Sequence, residues 1–93
     1  MAKFMAVHTF STPISREEAN YLGRKVKERV TADTYWVSSW AQLNNEGKIT
    51  RIICEWNAKD AKSIFDLLAG SGVNIPLDGV YPMAIVDAGT LSR

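Results

Sequence analysis

The apolar positions of the chain repeat one three-part pattern twice. Along Lys3–Phe10, Phe4, Ala6, His8 and Phe10 share one parity and Met5, Val7 and Thr9 the other. Both faces are largely apolar, as in a central strand covered on both sides. Pro13 is expected to end this extended segment. Ser15-Arg16-Glu17-Glu18 reads as a capping box, with the Ser15 hydroxyl accepting from a first-turn amide and Glu18 reaching back to the Ser15 amide. A helix over Arg16–Val30 follows, with Ala19, Leu22, Val26 and Val30 as its buried stripe. Gly23 weakens that helix by about 1 kcal/mol relative to Ala, and close approach to the sheet is the expected reason. Tyr35–Leu43 is a Trp-rich strand.

The second half repeats the first. Lys48–Asn57 reads as a strand, Lys59–Ala69 as a helix and Val80–Asp87 as a last strand in which Tyr81, Met83 and Ile85 alternate. Asn57 is the expected helix cap, with Asp60 in the first turn. Ala61, Ile64 and Leu68 form the inward stripe, widened by Phe65; Gly70 and Gly72 stop the helix. Val73 to Gly79 connects, and Thr90–Arg93 is expected to be a loose tail. Asn44-Asn45-Glu46-Gly47 makes the hairpin between the middle strands. A four-residue loop would place Trp36 and Trp40 with Arg51, Ile53 and Glu55. A three-residue loop with a glycine bulge, the weakly preferred reading, would place them with Ile52, Cys54 and Trp56.

The resulting β-α-β-β-α-β order predicts one α+β domain over residues 1–93, with an ordered core over 3–88 and a ferredoxin-like fold: a four-stranded antiparallel sheet with two helices on one face. Two helices cover only one face, yet every strand carries apolar residues on both parities. The second face is therefore expected to bury itself against another copy of the chain, as a homodimer of the dimeric α+β-barrel kind.

Composition removes several alternatives. The chain is 46% hydrophobic and 23% charged, with 11 Lys plus Arg against 10 Asp plus Glu. A net charge of +1 offers no basic field for nucleic acid, and Arg24, Lys25, Lys27 and Arg29 spread over a solvated helix arc. No apolar run approaches the ~20 residues of a membrane span, and the start enters a strand without a signal-peptide core. One cysteine, Cys54, suits a reducing compartment, so the expected location is cytoplasmic.

Few residues offer chemistry. His8 is the lone histidine, placed mid-strand, where it suits acid-base work, a single metal ligand or a structural hydrogen bond, with Glu55 or Asp87 as the expected orienting carboxylate. Cys54 has no second cysteine or basic neighbour and reads first as a small buried hydrophobe. Trp36, Trp40 and Trp56 could line a ligand cavity or fill the core. Arg51 could hold an anion or pair with Glu55. There is no phosphate loop, Ser-His-Asp set, Cys-x-x-Cys or His-Glu-x-x-His. The ligand-pocket candidates are thus His8, Trp36, Ser38, Trp40, Arg51, Cys54 and Glu55. For metal, His8 is a weak candidate that would need carboxylates or a dimer axis to complete it.

Trp36-Val37-Ser38-Ser39-Trp40, the hairpin, Cys54-x-x-x-Ala58, Ile64, the Gly72 to Pro76 loop and Val80 to Asp87 follow in an order and spacing that resembles a family of small bacterial ferredoxin-like proteins. Its named representatives are nickel-binding, and its other members have no assigned function. The likeness covers roughly residues 35–88. It implies a ferredoxin-like dimer and, in some members, nickel held by histidines. Family members often carry histidine where this chain has Ser38 and Leu67, and neither side chain replaces imidazole as a nickel donor. The resemblance therefore implies the fold more strongly than the metal.

Three functions are consistent with the residues. The first is a dimer that binds a small ligand or metal ion without catalysis. The second is a cofactor-free monooxygenase or isomerase of the dimeric α+β-barrel type, with His8 in a Trp-lined pocket. The third is a regulatory or interaction module.

Overall fold

The computed structural model describes residues 1–91. The elements are β1 (Ala2–Ile14), α1 (Arg16–Lys27), β2 (Thr34–Leu43), β3 (Ile49–Ala58), α2 (Ala61–Ala69) and β4 (Gly79–Met83), followed by a 3-10 turn at Ala88–Thr90. The strands form one antiparallel sheet in the order β2-β3-β1-β4. This is the ferredoxin-like arrangement, with β1 and β3 central. The Ser15 capping box forms at both of its bonds. No helix among the described residues is long and apolar enough to cross a membrane.

Several boundaries differ from the sequence reading for local physical reasons. β1 runs on past Pro13 to Ile14, because its pairing with β3 shifts between Thr9 and Ile14 and β4 pairs only Lys3–Val7. The missing proline N–H therefore falls where no ladder bond is needed. α1 ends at Lys27 rather than Val30, since the Arg29 and Val30 amides turn back to the carbonyls three residues earlier. The cap of α2 is Asp60, whose carboxylate accepts from the Ser63 amide at 2.8 Å. Asn57 stays in β3 and donates to the Tyr35 hydroxyl instead. Leu67, not Phe65, widens the buried stripe of α2 beside Ile64 and Leu68. β4 stops at Met83, opposite Lys3, because β1 supplies almost no backbone beyond that point. Ile85 and Val86 are left exposed. Of the tail, Thr90 closes the 3-10 turn, while Ser92 and Arg93 lie outside the described residues.

The β2–β3 hairpin closes with the three-residue loop. The Asn44 amide donates to Lys48 and the Gly47 amide to Asn44, with Gly47 at φ +76° as a glycine bulge requires. That loop alone would have put both Trp36 and Trp40 with Trp56. Two register shifts intervene. Leu43 faces Ile49 but Gln42 faces Arg51, which skips Thr50; Ser38 faces Glu55 but Trp36 faces Trp56, which skips Val37. Each shift exchanges the faces, so they cancel at Trp36 and leave Trp40 alone reversed. Trp36 lies with Cys54 and Trp56 under the helices, and Trp40 lies with Arg51, Ile53 and Glu55 on the other side.

The core forms between the sheet and the helices, where Phe4, Ala6, Val26, Trp56, Ala58, Ile64, Leu67 and Leu68 cluster. The opposite face carries Met5, Val7, Ile53, Trp40, Tyr81 and Met83 around a Lys3–Glu55 ion pair. Glu55 thus pairs with Lys3 and not with Arg51. On this face Trp40, Tyr81 and Met83 are 59%, 49% and 45% exposed, respectively, which leaves a wide apolar patch.

The doubled residue at Val37 makes a sharp prediction. Deleting Val37 removes the shift while keeping Trp36 and Ser38 on their present faces, so cooperative urea unfolding should persist. Deleting Ser39, in the regularly paired stretch, reverses every side chain on one side of the cut and should abolish it.

Candidate functional site

The inward face of α1 carries small residues where it crosses the sheet. Ala19 and Leu22 are half-buried, Gly23 has no side chain and Val26 is the one fully buried residue of the helix. A Cβ on Gly23 would sit 3.3 Å from Cη2 of Trp36, so glycine is what lets that indole lie flat against the helix. Below this thin cover the sheet presents His8, Phe10, Trp36, Ile52, Cys54 and Trp56. The mismatch leaves a partly open cavity of about 60 Å³, lined also by Leu68 and Ile75. Two wider clefts flank it. One, of about 480 Å³, shares Phe10 and Leu22 with the cavity and is edged by Asn74 and Pro76. The other, of about 510 Å³, shares Ala19, Trp36 and Ile52.

His8 is 96% buried, at 4% exposure, and its Nδ1 lies 2.7 Å from the Pro76 carbonyl oxygen. A carbonyl only accepts, so Nδ1 carries the proton and Nε2 of the neutral ring is left with the lone pair. Burial lowers the His8 pKa below its ordinary value, against the opposing pull of the Pro76 carbonyl and the Asp78 carboxylate. The imidazole is therefore neutral at neutral pH. Neither Glu55 nor Asp87 orients it: Glu55 points to the helix-free face, and Asp87 caps the terminal 3-10 turn. The actual partner lies in the α2–β4 connection, 68 residues away in the chain.

A second set of polar atoms lines the wall. Trp36 Nε1 donates to Ser39 Oγ at 2.7 Å, and Ser39 Oγ donates to Cys54 Sγ at 3.0 Å. Burial pushes the Cys54 thiol pKa up, with the Ser39 bond opposing, so it stays protonated and is a poor nucleophile. Trp56, 1% exposed, has an indole N–H with no partner among the described residues. Such an orphaned buried donor costs about 1–3 kcal/mol.

Of the residues singled out in the sequence, His8, Trp36, Cys54 and Trp56 meet at the cavity. Ser38, Trp40, Arg51 and Glu55 lie on the helix-free face and do not contribute. Ser39 and the Pro76 carbonyl complete the site. Trp56 and Ser39 share a parity with Cys54 that the hairpin register implies, whereas no local pattern ties Pro76 to His8. For nickel the residues do not fit. Leu67 is buried in the core under α2, Ser38 lies on the opposite face, and no group of three or more His, Cys, Asp or Glu side chains gathers among the described residues.

No protein-family model matches the chain, and no curated protein matches it. Among solved structures, the chain is similar to SCO4226 from Streptomyces coelicolor A3(2), known from a crystal structure. The match has a TM-score of 0.70 at 16% identity, covering 92% of this chain and 100% of that one. At that identity the likeness establishes the shared ferredoxin-like fold alone.

The lowered His8 pKa has a signed consequence. An unfolded chain, with its histidine near 6.5, binds the proton more readily than the folded one. The His8 contribution is therefore intact above that value and is lost as pH falls through it toward the folded pKa. The urea midpoint should drop on mild acidification, and His8→Gln should flatten that part of the profile. An NMR titration of the ring should give a midpoint below 6.5.

Proposed function

We propose that this protein is a non-catalytic small-molecule-binding domain whose ligand seats in the apolar cavity under α1, and that it works as a homodimer through its helix-free sheet face. The observation that carries the reading is the cavity itself: a nearly wholly apolar space where His8, Trp36, Cys54 and Trp56 converge in an otherwise closely packed domain. A monooxygenase or isomerase is less well supported. No carboxylate hydrogen-bonds His8 among the described residues, and burial outweighs the pull of Pro76 and Asp78 toward the imidazolium. The volume of about 60 Å³ is also far below the ~300–1,000 Å³ of pockets that enclose an organic substrate. The resemblance to the nickel-binding family contributes the dimeric frame to this proposal and not the metal.

Self-association is supported by the exposed Trp40, Tyr81 and Met83. The Lys3–Glu55 pair on the same face is already satisfied within one chain, so covering it strands neither charge. A half-buried free thiol at Cys54 fits the reducing cytoplasm.

Two measurements test this. Titration with phenol or toluene should move the indole N–H resonances of Trp36 and Trp56 but not of Trp40, and Gly23→Leu, which fills the space against Trp36, should abolish the shifts. Light scattering at micromolar concentration should give twice the chain mass for the wild type and the single mass for Trp40→Lys. A monomeric wild type removes the dimer, and unmoved Trp36 and Trp56 resonances remove the binding site.

A further inference from the structure

Resting on the cavity reading above, we infer that the ligand is an uncharged molecule with an apolar body and a hydroxyl group, an alcohol or phenol, whose O–H donates to His8 Nε2. The polar wall of the cavity selects this class. Because the Pro76 carbonyl takes the Nδ1 proton, the imidazole can offer only a lone pair at its other nitrogen. Nδ1 is the one ring atom hydrogen-bonded among the described residues. A carboxylate or phosphate would bring lone pairs against a lone pair inside an apolar wall that holds no cation, so anions are refused. Among the described residues, no lysine or arginine lines the cavity to receive an anion.

A second, independent observation also points to a ligand. Trp56 lines this cavity, is 1% exposed and leaves its indole N–H unpartnered. A hydroxyl supplies the proton that His8 Nε2 can accept, and its oxygen is an acceptor of the kind the Trp56 indole lacks; no contact to both at once is required. Size fixes the mode of entry. A space of about 60 Å³ is smaller than the ~150 Å³ that encloses benzene. The hydroxyl end therefore enters while the apolar body extends into the adjoining cleft past Phe10 and Leu22.

The test compares phenol and toluene, matched in size, with benzoate, which shares their ring but carries a carboxylate, on the full chain at neutral pH, followed at the Trp36 and Trp56 indole resonances. In a cavity without a polar partner, burying an unpaired hydroxyl makes phenol weaker than toluene by about tenfold or more. The expected result is phenol binding at least as tightly as toluene, with benzoate at least about tenfold weaker than phenol. His8→Leu should cost phenol about tenfold and leave toluene within about twofold, while His8→Gln, which keeps a donor for Pro76 and an acceptor for the ligand, should retain the phenol preference. Toluene binding about tenfold tighter than phenol, or benzoate matching phenol, overturns the hydroxyl class and leaves the binding site standing. An unchanged phenol-to-toluene ratio in His8→Leu overturns the role of His8. If that variant does not fold, the wild-type ratio decides alone. Silence of all three probes at both indoles overturns the cavity reading and this inference with it.

Discussion

The pairing register between β2 and β3 is the constraint on which the remaining features depend. A strand has a side-chain period of two, so any single doubled residue exchanges its faces. Here two doublings, at Thr50 and Val37, act in series. Between them Trp40 is turned out; beyond both, Trp36 is turned in. The first consequence is an aromatic surface on the helix-free face. The second is an indole pressed against Gly23, tied through Ser39 to Cys54 and roofing the cavity. Were Val37 kept but paired in the ladder as an ordinary strand residue, Trp36 would leave the helix side, and the Ser39 bond, the Gly23 contact and one wall of the cavity would go together.

The same register explains why α1 covers its part of the sheet so thinly. A glycine in mid-helix costs about 1 kcal/mol against alanine, and the space it leaves is taken by a ring that brings far more apolar area. Trp36 and Trp56 are too large to be matched by Ala19, Gly23 and Leu22 without a gap, because rigid rings and a straight helix cannot close on each other. α2 meets the sheet with Ile64, Leu67 and Leu68, all buried, and together they fill their share of the core. Half of the layer is thus packed as a core, and the other half leaves a cavity.

What could be read from the residues divides along physical lines. Patterns that act over a few residues were legible: the Ser15 capping box, the Gly47 turn, the reason for Gly23 and the order of elements. The two doublings were not, since Val37 and Thr50 are ordinary strand formers and a doubled residue leaves no mark in an alternation that is apolar on both parities. The α2 cap went to Asp60 over Asn57 because β3 keeps Asn57 in two ladders at once, a competition that local propensity does not weigh. His8 was legible as a buried ring needing a partner. Its partner was not, because a proline carbonyl in a loop carries no signal in its side chain.

That last case reaches into function. The Asp78 carboxylate and the Pro76 carbonyl both favour the His8 cation, but burial outweighs them and the ring stays neutral. The Pro76 carbonyl accepts a hydrogen bond from Nδ1–H and so fixes one tautomer. On the proposed function, a neutral imidazole with a fixed lone pair in an apolar wall would distinguish ligands by where their protons are. A single loop carbonyl thereby sets which nitrogen of the only histidine in the chain is free to accept a hydrogen bond.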